Sequence, residues 1–293
     1  MSGFDRRMVL AGLAAVPLLA SGQALAQRRG VAPRRLDALA TLERQGSRLC
    51  VFALDVATGR TLEHRADERV LMCSTFKALL AGAVLARVDA GAERLDRRVA
   101  IRASGLPGNS EVTRRAAGGS LTVGQLCEAT VTVSDNEAAN VLLPSVGGTD
   151  GLTRYARTLG DTVTRLDRTE PALNLRAGVY DTTTPRAYAG SMRQLVLGRA
   201  LSEGSRRQLW AWLQATTTGP HRLKAGLPGS WRVGHKTGTS DETVGQNNDV
   251  AVCLRPNGSA VIVAAYVQGP RLTSAARDAM LAETGRIVGR WAG

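Results

Sequence analysis

The chain has 293 residues, 44% of them hydrophobic and 22% charged, which is enough apolar material for one large core or two modest ones and excludes a disordered chain. Its formal net charge of +13 raises a nucleic-acid reading, but aromatic residues make up only 4% and the arginines are scattered, so no stacking platform or basic stripe is formed and no nucleic-acid partner is expected. The histidines, His64, His221 and His235, lie apart from one another and from any cysteine pair, so neither a metal nor another cofactor is expected.

At the N-terminus, Arg6 and Arg7 precede an uncharged stretch from Met8 to Ala26 that ends in Ala24-Leu25-Ala26. A charged start, an apolar middle and a small-x-small end predict a cleaved export signal over residues 1–26. The strongly apolar part, Met8 to Ala20, is too short to cross about 30 Å of hydrocarbon, so no membrane span is expected in the mature form. The paired arginines leave both the Sec and the twin-arginine routes open, and a periplasmic or secreted location follows from either. Cleavage removes two arginines and one aspartate, leaving 36 basic and 24 acidic residues, a net of +12.

Taken in order, Arg48 to Glu63 reads as strand, turn at Ala57-Thr58-Gly59-Arg60, and strand. Phe76 to Val88 has Ala, Leu and Val at helical spacing and is stopped by Gly91; Val123–Thr132, Glu137–Leu143 and Thr153–Leu159 follow with the same character. A second hairpin comprises Asp249–Leu254, a turn at Pro256-Asn257-Gly258 and the β-branched run Ala260–Val267. Thr273 to Trp291 is again helical, with Met280, Ile287 and Val288 on one stripe. Strand-rich ends around a helical middle predict an α+β fold: one antiparallel sheet built from both ends, with a helical domain inserted. Cys50 and Cys253 fall in apolar strand-like runs and Cys127 in a helical one, where free buried thiols are the common state, although four thiols in an oxidising compartment allow three full pairings.

Three short motifs carry the chemistry. In Ser74-Thr75-Phe76-Lys77 the serine and lysine share one helix face a turn apart, so the amine reaches the hydroxyl; burial and nearby positive charge lower a lysine pKa toward that of a base. Ser134-Asp135-Asn136 lies between two helical runs, suited to a tight loop at a cleft, where Ser134 can relay a proton to a leaving nitrogen and Asn136 can bind a substrate amide and position Lys77. Lys236-Thr237-Gly238-Thr239 precedes the C-terminal hairpin and is expected on an edge strand facing the cleft. There Lys236 and Thr237 can bind a carboxylate, while the Thr239 and Ser74 backbone N–H groups can form an oxyanion hole. Each motif alone is weak, as a helix cap or an ordinary turn would account for it.

Together and in this order the three motifs resemble the class A serine β-lactamases of the penicillin-binding protein superfamily, over nearly the whole mature chain. That resemblance implies a five-stranded antiparallel sheet flanked by terminal helices, with residues 27–67 and 214–293 in the sheet domain and 68–213 in an all-helical domain, the active site lying between them. It implies a monomer acting on small β-lactams: penicillins and cephalosporins, with carbapenems as further candidates, opened through a Ser74 acyl-enzyme. The loop Arg168-Thr169-Glu170-Pro171-Ala172-Leu173-Asn174 resembles the class A omega loop, 168–181 here. In it Glu170 and Asn174, four residues apart, would hold the water that deacylates the enzyme, and Arg168 and Asp181 would close the neck. Either Lys77 or Glu170 is the base for acylation.

Arg222 resembles an arginine that supports carboxylate binding in some relatives, including carbapenemases. Three departures stand beside the match: the loop is two residues shorter after Asn174, Asn109 replaces an aromatic at the cleft mouth, and the cysteine that would bridge to Cys73 in carbapenemases is Ser240, so Cys73 is expected as a free thiol. The competing readings are a penicillin-binding DD-peptidase, which shares the three motifs, and a non-catalytic cell-wall binding module.

Overall fold

The runs 49–54, 250–254 and 260–267 are continuously apolar, as strands covered on both faces must be. A computed structural model describes residues 36–43 and 46–293; the export signal expected over 1–26 lies outside the described residues. In chain order the elements are α1 (Leu36–Ala40), β1 (Arg48–Asp55), β2 (Thr61–His64), β3 (Val70–Leu71), α2 (Phe76–Asp89), β4 (Arg98–Ala100), α3 (Glu111–Arg115), β5 (Ser120–Thr122), α4 (Val123–Thr132) and α5 (Asn136–Leu142). They continue with α6 (Gly148–Thr158), β6 (Thr182–Thr183), α7 (Pro185–Val196), α8 (Glu203–Gln214), α9 (Leu223–Gly226), β7 (Arg232–Thr239), β8 (Gln246–Leu254), β9 (Ala260–Gln268) and α10 (Ser274–Ala292).

The large sheet has the order β2-β1-β9-β8-β7, every neighbouring pair antiparallel. It joins strands from both ends of the chain and leaves β7 on an edge, as the sequence predicts. Side chains alternate between two cores, because successive residues of a strand point to opposite faces. Cys50, Phe52, Val250, Val252, Ile262 and Ala264 join the core shared with the helical middle, including Leu79, Val84 and Leu126. Leu49, Val51, Ala251, Cys253, Val261 and Val263 join the other, covered by α1, α9 and α10 through Leu39, Leu223, Leu281 and Val288. α9 and α10 cross so closely that a Cβ on Gly226 would lie 1.7 Å from the Ala282 carbonyl oxygen. Among the described residues, no helix is long and apolar enough to cross a membrane.

Within 68–213, expected as helical throughout, the structure also has two small ribbons, β3 with β6 and β4 with β5. Segments of two or three residues are too short to show a period of two. α2 is the centre of this region: Phe76 through Leu85 are all buried, the pattern of a helix surrounded by others rather than lying on a surface. Cys50, Cys73, Cys127 and Cys253 are all free and buried. Burial pushes the Cys50 thiol up to about 12 and the other three higher still.

Candidate active site

The site begins at the turn entering α2. Cys73 takes a left-handed φ of +46°, unusual for a non-glycine residue, and opens a short 3-10 turn, Cys73–Thr75. The turn leaves Ser74 half-buried at the surface of the cleft while Cys73, Thr75, Phe76 and Lys77 are buried around it. It is tied down from several sides: Thr75 Oγ1 donates to the Met72 carbonyl at 2.8 Å, and Asn248 Nδ2 on β8 donates to Leu71 and Met72 carbonyls at 2.9 Å each. Gly238 on β7 presses against the same turn, and a Cβ there would stand 2.7 Å from the Met72 oxygen and 3.1 Å from Cys73 Cβ. Close approach of two backbones is what glycine supplies in that strand.

One turn into the helix, Lys77 Nζ lies 3.0 Å from Ser74 Oγ, 2.8 Å from the Ser134 carbonyl oxygen, 2.5 Å from Asn136 Oδ1 and 3.0 Å from Glu170 Oε1. Burial pushes the Lys77 pKa down; the Glu170 carboxylate beside it offsets part of that fall. Ser74 Oγ lies 3.2 Å from Glu170 Oε1, so both titratable groups reach the hydroxyl.

Glu170 comes from the loop 168–181. Arg168 Nε donates to Asp181 Oδ2 at 2.6 Å across the neck, and Asp181 Oδ1 accepts from the Asp167 and Arg168 backbone N–H groups. Asn140, one turn after Asn136 on α5, grips Glu170 by its backbone at both ends, donating to its carbonyl at 2.9 Å and accepting from its N–H at 3.0 Å. A 3-10 turn at Ala172–Asn174 returns Asn174 to Glu170, with Nδ2 2.6 Å from Oε2. Asn174 Oδ1 is buried with no protein hydrogen bond.

On the opposite wall Lys236 is fully buried in β7, its Nζ 3.0 Å from Ser134 Oγ and 3.0 Å from the Thr237 carbonyl. Burial, then the neighbouring charges of Lys77 and Arg222, push its pKa well down. Ser134 Oγ thereby stands between two lysines, 3.4 Å from Lys77 Nζ. Thr237 Oγ1 shares a hydrogen bond with Thr218 Oγ1 at 2.6 Å. Arg222 is buried, not solvated, and its donors are spent behind β7: Nε to Asp278 Oδ1 at 2.7 Å, Nη1 to Gly238 and Asn248 carbonyls at 2.9 and 3.0 Å, and Nη2 to Thr239 Oγ1 at 2.8 Å. The guanidinium, expected from the resemblance to support carboxylate binding, braces the edge strand and orients the Thr239 hydroxyl.

The cleft of about 330 Å³ is lined by Ser74, Ser134, Asn136, Asn174, Thr237 and Thr239, with Arg222 and Gly238 also at its wall. Lys77, Glu170 and Lys236 stand directly behind this lining, so the catalytic and substrate-binding residues expected from the sequence lie together. Sequence reasoning missed Asn140 and Asn248. The first had a signal, four residues after Asn136 on one helix face; the second is a polar residue inside a buried strand, which demands a partner. Among the described residues no group of three or more His, Cys, Asp or Glu is placed to hold a metal.

Comparison with known proteins gives the family. The profile of the β-lactamase enzyme family matches residues 33–291. The chain is 39% identical to β-lactamase CTX-M-6 of Salmonella typhimurium over 285 residues, 97% of each chain, and 44% identical to β-lactamase L2 of Stenotrophomonas maltophilia over 249 residues, 84% of this chain and 82% of that one. The class A β-lactamase of the last common ancestor of Gram-negative bacteria superposes with a TM-score of 0.84 at 52% identity, covering 87% of this chain and 97% of that one. The chain therefore belongs to the β-lactamase enzyme family, as a class A serine β-lactamase.

Proposed function

We propose that this enzyme opens the β-lactam amide of penicillins and cephalosporins through a Ser74 acyl-enzyme and releases it with water activated by Glu170. The observation that carries the reading is the placement of Lys77 Nζ and Glu170 Oε1 at 3.0 and 3.2 Å from Ser74 Oγ. The hydroxyl proton passes into this Lys77–Glu170 pair as Ser74 Oγ bonds to the lactam carbonyl carbon. Negative charge on the carbonyl oxygen falls to the Ser74 and Thr239 backbone N–H groups. As the C–N bond breaks, the Ser134 hydroxyl, held between Lys77 and Lys236, gives its proton to the leaving nitrogen and regains one from the lysines.

For release, a water between Glu170 and the unpartnered Oδ1 of Asn174 loses a proton to the carboxylate, attacks the ester carbon, and Ser74 leaves as the alcohol. The substrate carboxylate sits against Lys236, Thr237 and the Thr239 hydroxyl that Arg222 orients, and Asn136 meets the side-chain amide. The chain would work as a monomer in the periplasm or outside the cell, its cleft between a sheet domain of residues 27–67 and 214–293 and a helical domain of residues 68–213. Carbapenems, as further candidates, rest on Arg222, since Cys73 has no partner cysteine at Ser240. Mixing the purified protein with a chromogenic cephalosporin tests the function: sustained turnover is expected, whereas a stoichiometric burst that then stops identifies a penicillin-binding peptidase. Turnover of one penicillin, one oxyimino-cephalosporin and one carbapenem then sets the substrate range.

A further inference from the structure

Asn109 lies in the loop between β4 and α3, exposed at the cleft mouth, with a φ of +56° that asparagine tolerates better than most side chains. Its amide nonetheless has a definite partner: Nδ2 donates to the Ser134 carbonyl oxygen at 2.7 Å. Its own carbonyl accepts from the Asn136 N–H at 2.8 Å, the Gly108 carbonyl accepts from Asn136 Nδ2 at 2.7 Å, and Ser110 Oγ accepts from the Glu137 N–H at 3.1 Å. Three consecutive residues of one loop thus grip the segment that carries Ser134.

That grip meets a strained point. Ser134 also has a left-handed φ, +62°, a conformation that a serine holds only when its surroundings fix it. Its carbonyl oxygen has two lone pairs, and it accepts from Lys77 Nζ at 2.8 Å as well as from Asn109. One oxygen therefore couples an exposed amide at the mouth to the buried lysine beside the nucleophile. We infer that Asn109 is a positioning residue for acylation: it locks the Ser134 peptide so that the carbonyl holds Lys77 and the hydroxyl stands between Lys77 and Lys236. The inference rests on the Ser74 chemistry proposed above. Asn140 holds the Glu170 backbone, so the clasp reaches release of the acyl-enzyme only through Lys77.

The substitution Asn109→Gly removes the amide while keeping a backbone that accepts positive φ, which separates loss of the hydrogen bond from backbone strain. Acylation and deacylation rates are to be measured for a penicillin and for 6-aminopenicillanic acid, which lacks the acyl side chain, together with the unfolding midpoint. Acylation is expected to slow about tenfold for both compounds, the loss of one well-placed hydrogen bond, with a smaller change in deacylation and the midpoint unchanged. Asn109→Asp, which has no donor at neutral pH, is expected not to restore the rate. Acylation at the wild-type rate overturns the inference. So does a loss confined to the compound with the acyl side chain, which makes Asn109 a substrate contact, or an equal loss in both steps with a lower midpoint, which makes it a general support. A wild-type protein that forms no acyl-enzyme with either compound defeats the Ser74 reading instead.

Discussion

The two walls of the cleft each carry a fully buried lysine, and the company each keeps is different. On the helix wall Lys77 has the Glu170 carboxylate at 3.0 Å; on the strand wall Lys236 has a hydroxyl, a carbonyl and the repulsion of Lys77 and Arg222, and no carboxylate in contact. A buried charge with its partner in place is a finished pair that can exchange protons with a third group between them. A buried cation without one carries its desolvation cost unrelieved and becomes a site for an anion brought by the substrate. On the proposed chemistry the strand wall binds and the helix wall reacts because of where one acid stands.

The largest expected effect breaks the helix wall. Lys77→Met should slow acylation by about 10³-fold or more, read by stopped-flow with a chromogenic cephalosporin. It should also destabilise the fold by about 3 kcal/mol in denaturant unfolding, because Glu170 is left buried without its partner. Lys236→Met should do the opposite to stability while still harming function. KM for a penicillin should rise about 100-fold with a smaller change in kcat, and the unfolding free energy should increase by about 1 kcal/mol as an unpaired buried cation is removed. If both variants destabilise alike, the distinction between the walls fails.

The pH dependence sharpens the same contrast. The pKa of Lys236 is held well below its ordinary 10.5 by burial and by Lys77 and Arg222, so the free enzyme loses this proton early on the alkaline side and KM should climb with pH. For stability the sign is reversed from that of a salt-bridged lysine. Below the lowered pKa both folded and unfolded states hold the proton, and the folded state bears the cost of the buried charge. Between that pKa and 10.5 only the unfolded state holds it, so the wild-type enzyme gains stability with rising pH and its deficit relative to Lys236→Met should close. The smallest effect tests the contact between the walls. Gly238→Ala puts a Cβ 2.7 Å from the Met72 oxygen and should cost about 2 kcal/mol and roughly tenfold in kcat, by pushing β7 away from the Ser74 turn.

Much of this was legible in the sequence because the decisive residues come in local packets. Ser74 and Lys77 are a helix turn apart, Lys236 to Thr239 are consecutive in one strand, and the hairpins at both ends show their turns. What stayed hidden is held by hydrogen bonds between distant residues, which leave no period to read: Asn248 to Met72, Asn140 to Glu170 and Asn109 to Ser134. The left-handed turns at Cys73 and Ser134 are likewise hidden, since neither residue type favours that backbone. Arg222 is legible by resemblance as a position, but its partners are not: Asp278, two backbone carbonyls and Thr239 take its donors. The helix α7 did have a local signal, Thr184 as cap followed by Pro185 in the first turn, which the reading of the helical middle passed over.

The proposed chemistry needs Ser74 to be acylated and Glu170 to provide for release. Intact-protein mass spectrometry of Glu170→Ala during reaction with a penicillin separates the two steps. A persistent adduct with the mass of the opened penicillin on one site is expected, absent from the Ser74→Ala protein and short-lived in the wild type. A Glu170→Ala enzyme that clears its adduct as fast as wild type would contradict that chemistry.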